Sequence, residues 1–456
     1  MTGAPAPARG ARLQHADLRS PFLPPPDARE QVGLEIESGL VDPRTGRAAP
    51  YLGEHGVRTV LETVLAEWGG QPQQDAGRLT GVLLPDGRQI TLEHGGQIEY
   101  SSTPAASVAA AVTDARATLE HLAQLADRFG LALLPGARLP FDRLDTISWV
   151  PMTRGGIMRD FFTRLGEPAG RAPDVMAMSL STQVTLDYLS AEDFTEKLRM
   201  QVAASPVVAA LFVNSPLTDG RANGLLSHRS HSWLRMDPRR TGLLPPALRP
   251  DVGIDDVIDW ALRIPMIYYR TDDGRYHPAP DRPFATLLDQ GFDDGSQPTP
   301  DHWLSHLSQL WTDVRVRHTL ELRAADGPPY QHFAAVPALW TGLSYHAPSR
   351  AAAWDLLSRY TQRDHHRAME ALPAQGLRTR LGTEPVHELA TELLRLARAG
   401  LAARIRAGLE PAHVLDYLDP LDEVLATHRT FAEHCLARWE FDLHQDPGRY
   451  VAAYRV

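Results

Sequence analysis

The chain has 456 residues, 43% of them hydrophobic and 22% charged, which is ordinary for a globular protein with ample core material. That length allows two or three domains, or one large α+β enzyme domain. A net charge of -10 argues against a nucleic-acid binder, which needs a basic surface, and leaves room for a local arginine cluster that captures a small anion.

Cys435 is the single cysteine, so an intrachain disulfide and a CxxC metal site are excluded. A reducing, cytoplasmic setting is expected. The N-terminus lacks the basic-then-apolar pattern of a secretory signal, and no apolar run reaches bilayer-spanning length. No membrane association is expected.

Residues 1–30 are rich in Pro, Ala and Arg and read as a mobile arm or an extended strap. Residues 31–456 read as one catalytic domain. In "VGLEIE", Val32, Leu34 and Ile36 alternate with Gly33, Glu35 and Glu37, which is the period of a strand. Val57, Val60, Leu61, Val64, Leu65 and Trp68 fall at helical spacing, and Gly69-Gly70 stops that helix. Asp86-Gly87 signals a hairpin whose returning strand is "LEHGGQIEYSS". Thr103-Pro104 opens a long helix with an apolar stripe from Val108 to Phe129. "LALLPG" and "SLSTQVTLDYLS" read as strands, and Ser190 as the cap of the next helix. "SPVVAALFVNSP" reads as a buried helix ending at Asn214. The Gly-, Arg- and Pro-rich stretch 218–250 reads as functional loop. "HTLELRAADG" is a further strand, and helices are predicted near 352–360, 388–400 and 412–435. Hairpin signals with little regular βαβ alternation predict a mostly antiparallel α+β domain with a helical C-terminal third.

Glu35 and Glu37 share one strand face with Cα atoms roughly 6.5–7 Å apart. Like charges at that spacing call for cations or for solvent, and for the pair taken alone a solvated strand face is the commoner arrangement. Glu93, Gln97 and Glu99 fall on one parity of a second strand, around Gly95-Gly96, where a bulge or a close backbone approach such as a bound phosphate is expected. Glu321 and Arg323 share a face in "LELR". Three strands presenting acids at period two would together make an oxygen-rich cavity suited to Mg²⁺ and nucleotide phosphates. Arg159, Arg221, Arg229, Arg239 and Arg240, with His228, His231 and Trp233, form a basic and polar set; loop arginines suit bidentate capture of carboxylate or phosphate. No P-loop, GxGxxG or GxSxG motif occurs.

In order, "VGLEIE", "LEHGGQIEYSS", "IMRDFF", "STQVTLDY", "ALFVNSPLTDGRANGLLSHRSHSW", "RRTGLLP" and "LELRAADG" resemble the glutamate–cysteine ligases of the plant and proteobacterial type. The related enzymes of ergothioneine synthesis are similar but more distant. The resemblance covers about residues 30–400. It implies a glutamine-synthetase-like fold, a curved antiparallel sheet forming a funnel surrounded by helices. It implies ATP, Mg²⁺, L-glutamate and L-cysteine, joined through a γ-glutamyl phosphate for low-molecular-weight thiol synthesis. It makes Glu35, Glu37, Glu93, Glu99 and Glu321 metal ligands, with Glu35, Glu37, Arg240 and Arg323 catalytic. It puts Gln97, Arg159, Thr182, Gln183, Asn214, Arg229 and Trp233 around the substrate. A monomer or homodimer is expected.

Two positions depart from the plant pattern: His94 stands for Pro and Thr185 for Asn. The second bears on the acceptor. A γ-glutamyl ligase acting on another amine is the alternative within this chemistry. A regulatory relative and a phosphagen-kinase-like phosphotransferase are alternatives outside it.

Overall fold

The computed structural model describes residues 12–456. Strand β1 (Val32–Val41) is the axis of the architecture. Its even positions, Val32, Leu34 and Ile36, are buried in the apolar core, and its odd positions carry Glu35 and Glu37 to the opposite face. Helix α1 (Val57–Trp68) follows, then an antiparallel meander of β2 (Gln71–Asp75), β3 (Arg78–Leu83), β4 (Gln89–Leu92) and β5 (Ile98–Ser101).

Helix α2 (Val108–Asp127) starts four residues later than Thr103-Pro104 suggests. Ser107 Oγ accepts the Ala110 N–H at 3.1 Å, and the Glu410 carboxylate accepts from Val108 N at 2.8 Å. Both satisfy amides that open the helix. Strand β6 (Ala132–Pro135), helices α3 (Thr153–Leu165) and α4 (Ala172–Met178), and strand β7 (Thr182–Leu186) come next. Helix α5 (Ala191–Leu211) is capped by Ser190 and runs unbroken through Pro206. Within the 218–250 stretch lies a short helix, α6 (His228–Trp233). Strands β8 (Val314–Val316) and β9 (Leu320–Leu322) complete the main sheet.

The sheet has nine strands in the order β8-β9-β7-β1-β5-β4-β3-β2, with β6 paired to the C-terminal half of β1. Every pairing is antiparallel. The expected α+β class and antiparallel sheet are what the chain adopts, and the sheet does not close into a barrel. Register then aligns chemistry across the strands. One row runs Gln183–Glu35–Ser101–Gln89, and the next pairs Glu37 with Glu99 and Glu99 with Thr91.

One face of the sheet is apolar and helices cover it. The Ala335–Ser344 helix packs there with α2 and α5, and the Val386–Arg406 helix packs on Ala335–Ser344 and α5, in a single apolar cluster reaching from Leu13 to Ala432. The expected run 412–435 is broken into a 3-10 turn (Ala412–Leu418) and two short helices, Asp419–Thr427 and Phe431–Ala437, because Pro420 and the left-handed His428 interrupt it. Of the N-terminal arm, residues 1–11 lie outside the described residues. Residues 12–30 lie against the body, with Leu13, Leu18 and Phe22 buried and Trp303 Nε1 donating to Leu18 O at 3.1 Å.

Candidate active site

The polar face of the sheet floors a cavity of about 700 Å³. Glu35 and Glu37 from β1, Glu99 from β5 and Glu93 from the β4–β5 turn line it, with Gln97, Gln183, Arg154, Arg315, Arg317 and Arg323. Oxygens of Glu37, Glu93 and Glu99 lie within 4.8 Å of one another. Glu37 accepts from Ser181 Oγ at 2.9 Å and Gln183 Nε2 at 3.4 Å. Glu99 accepts from Ser101 Oγ at 3.2 Å and Thr91 Oγ1 at 3.3 Å. None of the four glutamates has an ion-pair partner within 4 Å among the described residues.

Enclosure and mutual repulsion therefore push these carboxyls up. Burial, then Glu321 and Glu99, raise Glu35 to about 8. Burial, then Glu93, raises Glu99 to about 7. Burial and Glu99 hold Glu37 well above the usual carboxylate range, and burial raises Glu93 against the pull of Arg154. Three converging carboxylates with oxygen ligands only, no basic partner and hydroxyl support behind them fit a hard divalent cation such as Mg²⁺.

The β8–β9 end of the same sheet face is basic. Arg315 donates to Glu321 at 2.9 and 2.8 Å, Arg317 at 3.0 Å, and Arg323 bonds both Glu321 and Gln183. Part of the lining is apolar and soft, with Met152, Met158, Met176 and Met236 as well as Trp233, Trp311 and Tyr268. Acids and arginines lining one cavity suit a ligand that carries several negative charges on a cation.

The chain matches the profile of glutamate-cysteine ligase family 2 over residues 31–451. It belongs to that family. It is 33% identical to the chloroplastic glutamate–cysteine ligase of Arabidopsis thaliana over 409 residues, covering 89% of this chain and 76% of the relative. It is 30% identical to that of Brassica juncea, over 89% of this chain and 77% of the relative. Among solved structures it is similar to a glutamate–cysteine ligase from Francisella tularensis in complex with AMP, at a TM-score of 0.54 and 12% identity, covering 93% of this chain and 88% of that one. At that identity the likeness speaks for the fold.

Within this family member, the expected residues fall into two groups. Glu35, Glu37, Glu93, Glu99, Gln97, Gln183, Trp233 and Arg323 line the cavity. The others lie elsewhere, and each has a physical reason. Glu321 is 1% exposed and engaged by three guanidinium groups, which outweigh its burial and hold its carboxyl below the usual range. Arg240 is fully buried on Asp237 at 2.7 Å and the Pro265 carbonyl at 2.9 Å, away from the cavity. Arg159 is exposed and stacks on Trp149 at 4.6 Å. Thr182 lies on the apolar parity of β7 with Val184 and Leu186. Asn214 is used in a backbone brace, donating from its amide N–H to Asp326 at 2.8 Å and from Nδ2 to Gly327 O at 2.8 Å. Arg229 is buried behind Trp233, with Nη2 on Arg323 O at 3.0 Å.

Gly95-Gly96 has a structural reason different from phosphate approach. A Cβ on Gly95 would stand 2.0 Å from the Ala177 carbonyl oxygen of α4, and Gly96 turns the chain at φ +85°. The turn is tied by Gln97, which accepts from Gly95 N at 2.9 Å and donates to Ser179 O at 3.1 Å. His228 bonds Ser232 and faces Asp174 outside the cavity lining, and burial lowers it to about 4.

Sequence reasoning missed Arg154, Arg315 and Arg317. The last two were visible as the alternation "VRVR" ahead of "LELR", a hairpin whose odd residues share a face. Arg154 opens α3, one helical turn before Met158, which also lines the cavity.

Proposed function

We propose that the chain joins the γ-carboxylate of L-glutamate to the amine of L-cysteine at the expense of ATP, with Mg²⁺, giving γ-glutamylcysteine. Family membership and relatives bearing the name glutamate–cysteine ligase support the reaction. The single observation that carries the site is the triad of Glu37, Glu93 and Glu99, within 4.8 Å and without a countercharge.

A carboxylate does not acylate an amine at neutral pH, so it is first activated. The γ-carboxylate attacks the γ-phosphorus of ATP and ADP leaves. The amine then attacks the resulting acyl phosphate, phosphate leaves, and the amine loses a proton. Glu37, Glu93 and Glu99 hold the cation in this reading, with Glu35 beside them. Bound there, a divalent cation neutralises nucleotide phosphate charge. Arg315, Arg317 and Arg323 meet the same charge from the β8–β9 end of the sheet, and Glu321 fixes their positions. Gln183 links Arg323 to Glu37 and so couples the basic wall to the acidic one.

The methionine wall favours a second reading, ligation to another amine, because thioether side chains adapt to ligands of different shape. One assay separates the two. Phosphate release is followed with ATP, Mg²⁺ and glutamate against a panel of amines. Release that depends on cysteine supports the first reading, release with a different amine supports the second, and none with any amine rejects both.

A further inference from the structure

The chain holds nine methionines and one cysteine. Met152, Met158, Met176 and Met236 all line the main cavity. They come from separate places in the chain: Met152 precedes α3, Met158 lies within it, Met176 belongs to α4, and Met236 follows α6. Met152 and Met158 are each 4% exposed, Met176 5% and Met236 1%, and the space they line measures about 700 Å³. A cavity that admits a nucleotide admits a small solute such as hydrogen peroxide. The remaining described methionines are placed differently. Met178, two residues beyond Met176 in the same helix, is sealed at 0%, as are Met200 and Met266, and none of the three lines the cavity. Met369, at 3%, borders a neighbouring space of only about 20 Å³.

Leucine would fill the same volume, so packing alone does not call for sulfur at these positions. A thioether differs from leucine in softness and in being oxidisable. Thiol chemistry is closed to this chain at the same time. Cys435 has no second cysteine to pair with, is 3% exposed, and burial pushes its thiol up to about 11, where the reactive thiolate is scarce. The sulfur that a solute meets inside the cavity is therefore thioether sulfur.

We propose that Met152, Met158 and Met176 are sites of reversible oxidation by hydroperoxides, and that their sulfoxides turn the enzyme off. The loss of turnover rests on the ligase reading above; the sites of modification do not. In the forward step the thioether sulfur attacks one peroxide oxygen. The S–O bond forms as the O–O bond breaks, and the transferred oxygen passes its proton to the departing hydroxide, which leaves as water. Sulfur gives up two electrons and the peroxide takes them. Two thiol groups reverse the step, yielding thioether, disulfide and water. Each sulfoxide adds a polar oxygen to the apolar part of the lining, where the substrates must fit.

The test exposes the full chain to graded hydrogen peroxide, quenches with catalase, maps sulfoxides by peptide mass spectrometry, and assays turnover with ATP, Mg²⁺, glutamate and cysteine. Met152, Met158 and Met176 are expected to be modified at lower peroxide than Met178, Met200 and Met266. Turnover is expected to fall by about 10-fold or more as those sulfoxides accumulate, the cost of a misfit the size of one heavy atom in an apolar site. A methionine sulfoxide reductase supplied with a dithiol is expected to restore it. ATP, Mg²⁺ and glutamate present during treatment are expected to slow modification at the cavity positions alone. The combined Met152→Leu, Met158→Leu and Met176→Leu protein, each rate taken against its own untreated rate, is expected to resist peroxide, while Met200→Leu does not. Equal modification of cavity and sealed methionines overturns the proposal. So does complete oxidation of the three positions with turnover intact, or a peroxide loss in the combined variant equal to that of the unaltered protein. If the combined variant does not fold, the order of modification and its slowing by ligands in the unaltered protein decide. No turnover in the untreated protein removes the ligase reading, and the order of modification then supports or rejects the three oxidation sites by itself.

Discussion

Glu35, Glu37, Glu93 and Glu99 face one another across a cavity floor with no arginine on any of them, and the consequence is measurable as a function of pH. Their carboxyls sit above the ordinary 4.5, Glu99 at about 7 and Glu35 at about 8. Between pH 4.5 and 8 the folded protein thus holds more protons than the unfolded chain, so stability falls as pH rises through that window. Metal-free protein is expected to melt at lower temperature at pH 8 than at pH 6. Added Mg²⁺ is expected to restore more stability at pH 8 than at pH 6, because protons no longer compete for the oxygens. A Mg²⁺ effect that weakens with rising pH would contradict the cation reading. Glu321 behaves in the opposite way because it is already neutralised. Glu321→Gln leaves three partly enclosed guanidinium groups under-compensated. It is expected to lower unfolding free energy by about 3–5 kcal/mol in denaturant titrations and to raise KM for ATP. Loss of metal binding with unchanged stability would instead make it a ligand.

At the scale of single elements, the β4–β5 turn does what neither strand does alone: it carries Glu93 beside Glu99 and Glu37. Its tightness depends on Gly95, which lies against the backbone of α4. Gly95→Ala is expected to cost about 1–3 kcal/mol of stability, by denaturant titration, and to weaken metal binding by displacing Glu93. A variant with normal stability and normal metal affinity would contradict this role. The sequence showed the turn and the acids, because strand parity is readable from alternation. It did not show that the glycines serve α4, since a helix packing on a turn leaves no mark in local pattern. Arg159 and Arg154 illustrate the same limit. Both lie on α3, and only the helix's orientation decides that Arg154 lines the cavity while Arg159 stacks on Trp149. Arg240 looked like a phosphate ligand by residue type and is bound to Asp237, three residues before it.

Across the whole molecule, the strap ties the N-terminal residues to elements far along the chain. Phe22 is fully buried and its carbonyl accepts from Tyr188 OH at 2.8 Å. Lys197, the chain's only lysine, is also fully buried, with Nζ on Glu30 at 2.9 Å and Asp193 at 2.8 Å. Phe22→Ala is expected to destabilise the protein by about 3–5 kcal/mol while leaving KM for glutamate unchanged, because the strap lies outside the cavity. A change in KM without a change in stability would place the strap in the site. The antiparallel α+β sheet and its acid-bearing strands were legible from periodicity, and the family from seven ordered motifs. The division of labour among the charges was not, because whether a carboxylate meets a cation or an arginine is decided by cross-strand register. Register sets Glu37 opposite Glu99 and Arg315 opposite Glu321.

The central claim is that Glu37, Glu93 and Glu99 jointly hold the cation on which ligation depends. Titration of Mn²⁺ into the protein, followed by the loss of the free-ion paramagnetic resonance signal, tests it directly. The predicted result is saturable binding in the unaltered protein that weakens by about 10-fold or more in each of Glu37→Gln, Glu93→Gln and Glu99→Gln, with turnover lost in parallel. Binding and turnover unchanged in all three variants would contradict it.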